Sequence, residues 1–348
     1  MALLSYHDMN RIEHSPGKSQ NKEVMVATPI VALTDTVFPD LDPAKKALKA
    51  ANAELIQAKE NTPDAILEVA RDADGLLVTY GKITADIIGQ LKNCKVIGRF
   101  GIGVDNIDIE AATKAGIVVT YVPDYCFDEV SDQAMAMLLS LARKVTLANG
   151  VVQSGRWEMP AVVPISRIRG STLGLVGFGH IPQLMAPKAQ AFGMDVIISD
   201  PYVSDDIVKK CGVKKVEFDQ LLEQSDFISI HAPLTPETQN LFSSDVFKKM
   251  KSTAYLINTA RGPLVDADAL VKALDAGEIA GAALDVVPVE PLPKDSPLLG
   301  RDNLILTPHT AFYSEDALLD LQTKCAIDVA SVLNGNKPKY PVNPEALK

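Results

Sequence analysis

The sequence predicts an α/β protein built on two doubly wound parallel sheets. Three observations predict it. Short runs of β-branched residues alternate with helical patterns from end to end, which is the rhythm of strand–helix–strand units. The 348 residues are enough for two domains, each with a core of its own. The strands fall into two series, separated by a long apolar helix and an irregular arm.

The first series reads Val24–Ala27, Glu54–Ala58, Leu76–Thr79, Val96–Phe100 and Val118–Tyr121. Helices lie between them, among them Pro63–Asp72 and Ala85–Lys92. Pro63 suits a first helical position, where no N–H is needed. The separating helix, Glu129–Ala148, carries a wide apolar surface, to be buried between layers or against a second subunit. Residues 150–169 read as an irregular arm with Gly155, Trp157, Pro160 and Pro164. The second series reads Thr172–Val176, Val196–Ser199, Phe227–Ile230, Tyr255–Asn258, Gly281–Leu284 and Asn303–Leu306, followed by a final helix over Ser314–Asn334. Residues 1–22 are polar and patternless and read as a disordered tail without a signal-peptide core.

A formal charge of -10 leaves no basic surplus to neutralise phosphates, which argues against a nucleic-acid partner. No apolar run reaches the ~18 residues of a membrane helix. Cys94, Cys126, Cys211 and Cys325 lie far apart with no C-x-x-C pair, so no metal site is expected and the setting reads as cytoplasmic.

The strand Thr172–Val176 runs into Gly177-Phe178-Gly179-His180-Ile181-Pro182 and then a helix. A first glycine permits the tight turn, and a second lets the backbone approach a pyrophosphate at a helix N-terminus. The next strand ends at Asp200, placed to accept from the adenosine ribose; the alternative is a plain turn aspartate. No arginine follows to receive a 2′-phosphate, so the cofactor expected is NAD rather than NADP. Pro182 stands where a third glycine is usual, which is tolerable in a first helical turn but bulkier. His180 is expected to face the pyrophosphate or solvent.

Three polar residues stand just beyond strand ends: Arg261, Glu290 and His309. Ligands of open parallel sheets bind outside the carboxyl ends of strands, so three strand ends can converge on one cleft. Oxidising a 2-hydroxy acid needs a base for the hydroxyl proton and a fixed cation for the carboxylate. An imidazole suits the first task and a guanidinium the second, and a carboxylate such as Glu290 would orient the ring and stabilise imidazolium. Taken singly, His309 is also compatible with a capping or core histidine, and Arg261 with a surface ion pair.

Over roughly residues 24–340 the chain resembles the D-isomer-specific 2-hydroxyacid dehydrogenases. The likeness is carried by Gly174 to Asp200, by Leu221 to Thr238, and by Met250–Asp266 with Glu290-Pro291 and His309 downstream. The resemblance implies that Arg261, Glu290 and His309 are the catalytic trio. It places Asp285 on the nicotinamide carboxamide and Thr259 and Ala260 on its ribose. It puts His231, Pro233 and Thr238 at the cofactor border, beside Gly177, Gly179, His180 and Ile181. The loop Gly101-Ile102-Gly103 would present N–H groups to the substrate carboxylate. Tyr80 and Phe312 would shape the pocket, although ordinary interdomain packing also accounts for Phe312. It further implies a discontinuous substrate-binding domain (residues 23–122 and 313–342), a Rossmann-like NAD-binding domain (123–312), a cleft between them, and a homodimer joined through the apolar helix and the Trp157 arm.

His309-Thr310-Ala311-Phe312-Tyr313 is similar to the branch that contains the carboxyl-terminal binding protein co-repressors. Phosphoglycerate dehydrogenases often carry an arginine near Thr79; its absence, with no regulatory domain after about residue 340, weakens that assignment, while Lys82 and Arg99 leave it open. The expected function is an NAD-dependent D-2-hydroxyacid dehydrogenase acting on a small 2-hydroxy or 2-oxo acid. The alternative is an NAD-sensing regulatory protein.

Overall fold

The structure, a computed structural model, describes residues 28–347. The expected tail over residues 1–22 and the expected strand Val24–Ala27 lie outside the described residues. Among the described residues twelve strands form two sheets, and every strand pairing in both is parallel.

The first sheet contains β1 (Ile30–Leu33), β2 (Glu54–Gln57), β3 (Gly75–Val78), β4 (Val96–Arg99) and β5 (Val118–Thr120), in the order β2-β1-β3-β4-β5. Its helices are α1 (Asp42–Leu48), α2 (Pro63–Ala70), α3 (Ala85–Ile88) and α4 (Ile109–Lys114). The first described strand therefore falls at Ile30–Leu33. This run is wholly apolar and almost entirely buried, as a strand covered on both faces requires, and the Asp74 carboxylate accepts from its first N–H at 3.0 Å. Pro63 opens α2 as expected, with the Thr62 hydroxyl accepting from Ala65 N–H as cap.

The expected helix Glu129–Ala148 is two helices, α5 (Phe127–Arg143) and α6 (Val145–Gln153), with a bend of 61° between them. Lys144 breaks it by adopting φ 50°, which stops the α5 hydrogen-bond ladder. The two parts have different surroundings: α5 buries a face against the second sheet, whereas α6 buries only Val151.

The second sheet contains β6 (Thr172–Val176), β7 (Asp195–Ser199), β8 (Lys214–Lys215), β9 (Phe227–Ile230), β10 (Tyr255–Asn258), β11 (Gly281–Leu284) and β12 (Leu304–Leu306), in the order β12-β11-β10-β9-β6-β7-β8. Its helices are α7 (His180–Ala191), α8 (Asp205–Cys211), α9 (Phe218–Gln224), α10 (Ser244–Phe247) and α11 (Ala267–Ala276). The two-residue β8 was not expected; its exposed lysines suit the edge it forms, where charge discourages further pairing. Proline at position 187 sits inside α7, where the helix must do without one backbone donor.

The last helix, α12 (Glu315–Leu333), is capped by Ser314 and packs back onto α1, β3, β4 and β5. Leu318, Leu321, Cys325 and Val329 join the core that covers one face of the first sheet. Chain order reverses between β1 and β3 in one sheet and between β6 and β9 in the other. These are the switch points where α/β sheets open a crevice at their carboxyl ends. Among the described residues, no single helix is long and apolar enough to cross a membrane.

Candidate active site

The second sheet supplies most of the polar groups. The turn after β6 passes Gly177, whose φ of 85° lies in the left-handed region. A Cβ there would sit 2.9 Å from the His231 carbonyl carbon, so the backbones leaving β6 and β9 touch at the switch point. Asp200 follows β7, and its carboxylate accepts from Phe178 N–H at 2.7 Å, Tyr202 N–H at 2.7 Å and Val203 N–H at 3.0 Å. It thereby holds the glycine turn to the next strand, an internal duty beyond the expected ribose contact. His180 opens α7, exposed, with its ring stacked on Phe127 at 4.8 Å.

After β10, the Asn258 side chain clamps the turn by donating to Arg261 O at 2.9 Å and accepting from Ala260 N–H at 3.0 Å. After β11, the buried Asp285 carboxylate accepts from the Thr307 hydroxyl, Thr310 N–H (3.0 Å) and Ala311 N–H (2.8 Å). It pins the turn that follows β12. In that turn His309 has φ 55° and donates its N–H to Asp285 O at 2.8 Å. The His309 Nδ1 lies 2.7 Å from Glu290 Oε2, while Glu290 Oε1 accepts from Val287 N–H at 3.0 Å. With Nδ1 engaged, Nε2 is the ring nitrogen left for a substrate. Burial pushes the Glu290 carboxyl up, but the hydrogen bond and charge of His309 outweigh it, and the group titrates below its ordinary value.

These strand ends face a cavity of about 620 Å³ whose other wall comes from the first sheet. Of the expected residues, Tyr80, Ile102, Gly103, Ile181, His231, Pro233, Thr259, Ala260, Arg261, Asp285, His309 and Phe312 line it. Glu290 stands behind His309 rather than in the wall. Gly177, Gly179, His180 and Asp200 lie off this cavity, at the glycine turn. His309 is flanked edge-on by Tyr80 at 5.7 Å and Phe312 at 6.2 Å. Phe312 therefore does both things considered for it: it lines the pocket and packs on the core of the first sheet. Burial pushes His231 down to about 3, and its Nε2 lies 2.9 Å from Ser229 Oγ, so this ring stays neutral and is no rival as base.

Two other expected residues are engaged in their own turns. Gly101 does not line the cavity, and its N–H is taken by Arg99 O at 2.9 Å in a tight turn. The N–H groups of Ile102 and Gly103 have no backbone acceptor among the described residues, so these two are the ones of the loop left to donate. Thr238 is also off the cavity: its hydroxyl donates to Pro233 O at 2.7 Å and accepts from Thr235 N–H at 2.8 Å, so it builds the turn that carries Pro233.

Some features of the site were missed. Arg99, at the end of β4, lines the cavity with its Nε buried and without a hydrogen-bond partner. Burial pushes its pKa down, and no carboxylate pairs with it among the described residues. Asp35, beyond β1, accepts from Tyr80 N–H at 2.7 Å and Gly81 N–H at 2.9 Å and so fixes the Tyr80 turn. Asp105 accepts from Arg261 Nε at 3.1 Å. Burial pushes the Asp105 carboxyl up, and the Arg261 charge and hydrogen bond more than offset this, leaving it below its ordinary value. Strand-end position is the signal for Arg99 and Asp35. Nothing local signals the long-range partner of Asp105.

The residues fit a dinucleotide. Thr259 Oγ1 is buried in the cavity wall without a partner, and a Cβ on Gly179 would meet nothing within 4 Å, leaving open space at the α7 N-terminus. Fold and site together define a two-sheet α/β protein with a nucleotide turn and an imidazole–carboxylate pair at one cleft. A family model described as the NAD binding domain of D-isomer specific 2-hydroxyacid dehydrogenase matches residues 135–311. The D-3-phosphoglycerate dehydrogenase of Methanocaldococcus jannaschii is 41% identical over 81% of this chain and 54% of its own length. The glyoxylate reductase of Thermofilum pendens is 38% identical over 93% of this chain and 97% of its own. The crystal structure of a D-lactate dehydrogenase from Aquifex aeolicus, complexed with NAD and lactic acid, superposes with a TM-score of 0.79 at 28% identity, covering 88% of this chain and 96% of that one. The chain belongs to the D-isomer-specific 2-hydroxyacid dehydrogenase family. It spans about half the length of the phosphoglycerate dehydrogenase it matches.

Proposed function

We propose that this protein is an NAD-dependent oxidoreductase that interconverts a small D-2-hydroxy acid and its 2-oxo acid. The observation that carries the reading is the 2.7 Å contact of His309 Nδ1 with Glu290, on a ring that faces the same cavity as Arg261. Bound NAD supplies the hydride acceptor in one direction and NADH the donor in the other. His309 Nε2 takes the hydroxyl proton during oxidation and returns it to the carbonyl oxygen during reduction. Glu290 fixes the ring and stabilises the imidazolium. Arg261 and the N–H groups of Ile102 and Gly103 hold the carboxylate, leaving C2 against the cofactor side of the cavity. Thr259, Ala260, Ile181, Pro233 and His231 border the nicotinamide end, and Gly177, Gly179, His180 and Asp200 the adenosine end.

An oriented imidazole–carboxylate pair supports chemistry over the alternative of an NAD-sensing regulatory protein, since sensing alone needs no proton carrier. We also propose that residues 23–122 with 313–342 form the substrate domain and 123–312 the NAD domain. A homodimer is supported by the exposed Trp157, Met159 and Val163 of the arm after α6, and a cytoplasmic setting by four unpaired cysteines. The test is NADH oxidation with a panel of 2-oxo acids: glyoxylate, pyruvate, hydroxypyruvate, phenylpyruvate, and branched and phosphorylated examples. Turnover of at least one is expected. NADH binding with no turnover of any would favour the sensor.

A further inference from the structure

Arg261 leaves the end of β10 in the second sheet, yet the carboxylate it meets is on the first. Its Nε donates to Asp105 Oδ1 at 3.1 Å, and its Nη1 donates to its own neighbour, Ala260 O, at 2.7 Å. Two acceptors on different nitrogens fix both the position and the plane of a guanidinium, since the group is flat and its donors form a rigid fork. Nη2 is then the nitrogen with both N–H groups left for a ligand, and Nη1 keeps one. Nη2 lies against Gly103, where a Cβ would come within 1.5 Å of it. Gly103 and Asp105 thus belong to one short loop that makes room for the guanidinium and grips it. Among the described residues this is the only Lys/Arg–carboxylate pair that joins a strand-end loop of one sheet to a strand-end loop of the other.

We infer that Asp105 is a positioning residue for Arg261, and that the loop 101–106 is a socket that aims the guanidinium at the substrate anion. An ordinary surface ion pair contributes little because both partners are solvated and loose. Here Asp105 is half exposed, at 51%, so the distinction rests on Arg261, whose side chain is 26% exposed and anchored twice. The negative charge of Asp105 also sits on the Nε side of the guanidinium, so it neutralises Arg261 in the free protein without occupying Nη2. Because the grip comes from the opposite sheet, Arg261 is aimed only while the two sheets are apposed.

The inference rests on the proposed role of Arg261, so its test carries a readout that does not need turnover. Asp105→Asn keeps the shape and removes the charge; Asp105→Glu keeps the charge. With a 2-oxo acid that the wild type reduces, Asp105→Asn should raise KM about tenfold while kcat stays within about threefold. NADH affinity should be unchanged, and Asp105→Glu should recover most of the loss. In an Arg261→Lys background the same Asn change should add less than about twofold, because a residue that works through another loses its effect with it. Binding of oxamate to the NADH-loaded protein should weaken by the same factor as KM rises. This measurement decides the matter even if no 2-oxo acid is turned over, which separates failure of the socket from failure of the proposed activity. Unchanged KM and oxamate affinity, an equal penalty in both backgrounds, or a loss shared by NADH affinity and thermal stability would each overturn the assignment.

Discussion

At the ends of β11 and β12 the buried or reactive groups are answered by neighbours. Asp285 receives a hydroxyl and two backbone N–H groups, His309 has Glu290, and Glu290 has Val287 N–H. Across the cavity, at the end of β4, Arg99 has its Nε buried and unpartnered and its pKa pushed down by burial. The first arrangement is preorganised: its dipoles are in place before any ligand arrives, which suits groups that must act on a developing charge. The second is costly in the free protein, a cost that a bound anion would relieve, which suits recognition. On the proposed function, the β11 and β12 ends would form the chemical wall, and Arg99 would join Arg261 in selecting the substrate.

The largest effect should break the chemical wall. His309→Gln keeps a hydrogen-bonding side chain but cannot carry the proton, and kcat should fall about 10³-fold. NADH affinity should stay within a few-fold. Steady-state kinetics with fluorescence titration of NADH checks both, and unchanged turnover removes His309 as base. On the other wall, Arg99→Met should raise KM for the 2-oxo acid about tenfold and leave kcat nearly unchanged. The same variant should be more stable by about 1 kcal/mol, because an apolar side chain replaces a buried cation that lacks a carboxylate partner. Urea unfolding of the protein without substrate is the check. A destabilised variant with normal KM would make Arg99 a structural residue and erase the contrast between the walls.

That division also explains what was legible from residues alone. Arg261, His309 and Gly177 announce themselves because each follows a strand, and strand ends are where such sheets work. The same rule reaches Arg99 at the end of β4, weighed above only for its bearing on a phosphorylated substrate, and Asp35 beyond β1, which sits in no motif that draws attention to it. Asp105 is 156 residues from Arg261, and only the packing of two separate sheets joins them. The internal duties of Asp285, Asp200 and Thr238 were hidden for a related reason: a carboxylate or hydroxyl placed near a ligand looks the same in sequence whether its lone pairs face that ligand or its own turn. Val24–Ala27 and Ile30–Leu33 are both short apolar runs, and period alone does not single out Ile30–Leu33 as β1. The break at Lys144 carries no local mark, since lysine is a good helix former and only the surroundings of α5 and α6 differ.

At the adenosine end, Asp200→Ala should weaken NAD about tenfold and NADP less, by removing both the ribose acceptor and the anchor of Phe178 N–H. Titration with both cofactors measures it. A wild type that already prefers NADP would contradict the ribose role.

The smallest effect is a pH signature of the Glu290–His309 pair. The Glu290 carboxyl titrates below its ordinary value in the folded protein, so its contribution to stability is complete above the unfolded value of about 4.3 and disappears as pH falls through the folded value. The contribution should be about 0.5 kcal/mol, because Glu290 is 33% exposed and solvent screens the pair. Unfolding of wild type and Glu290→Gln between pH 3 and 7 should show a gap that is constant at the neutral end and closes in acid. A gap that widens as pH falls would mean that the carboxylate is not held by the imidazole. The chemical wall would then lose the partnership that distinguishes it from Arg99.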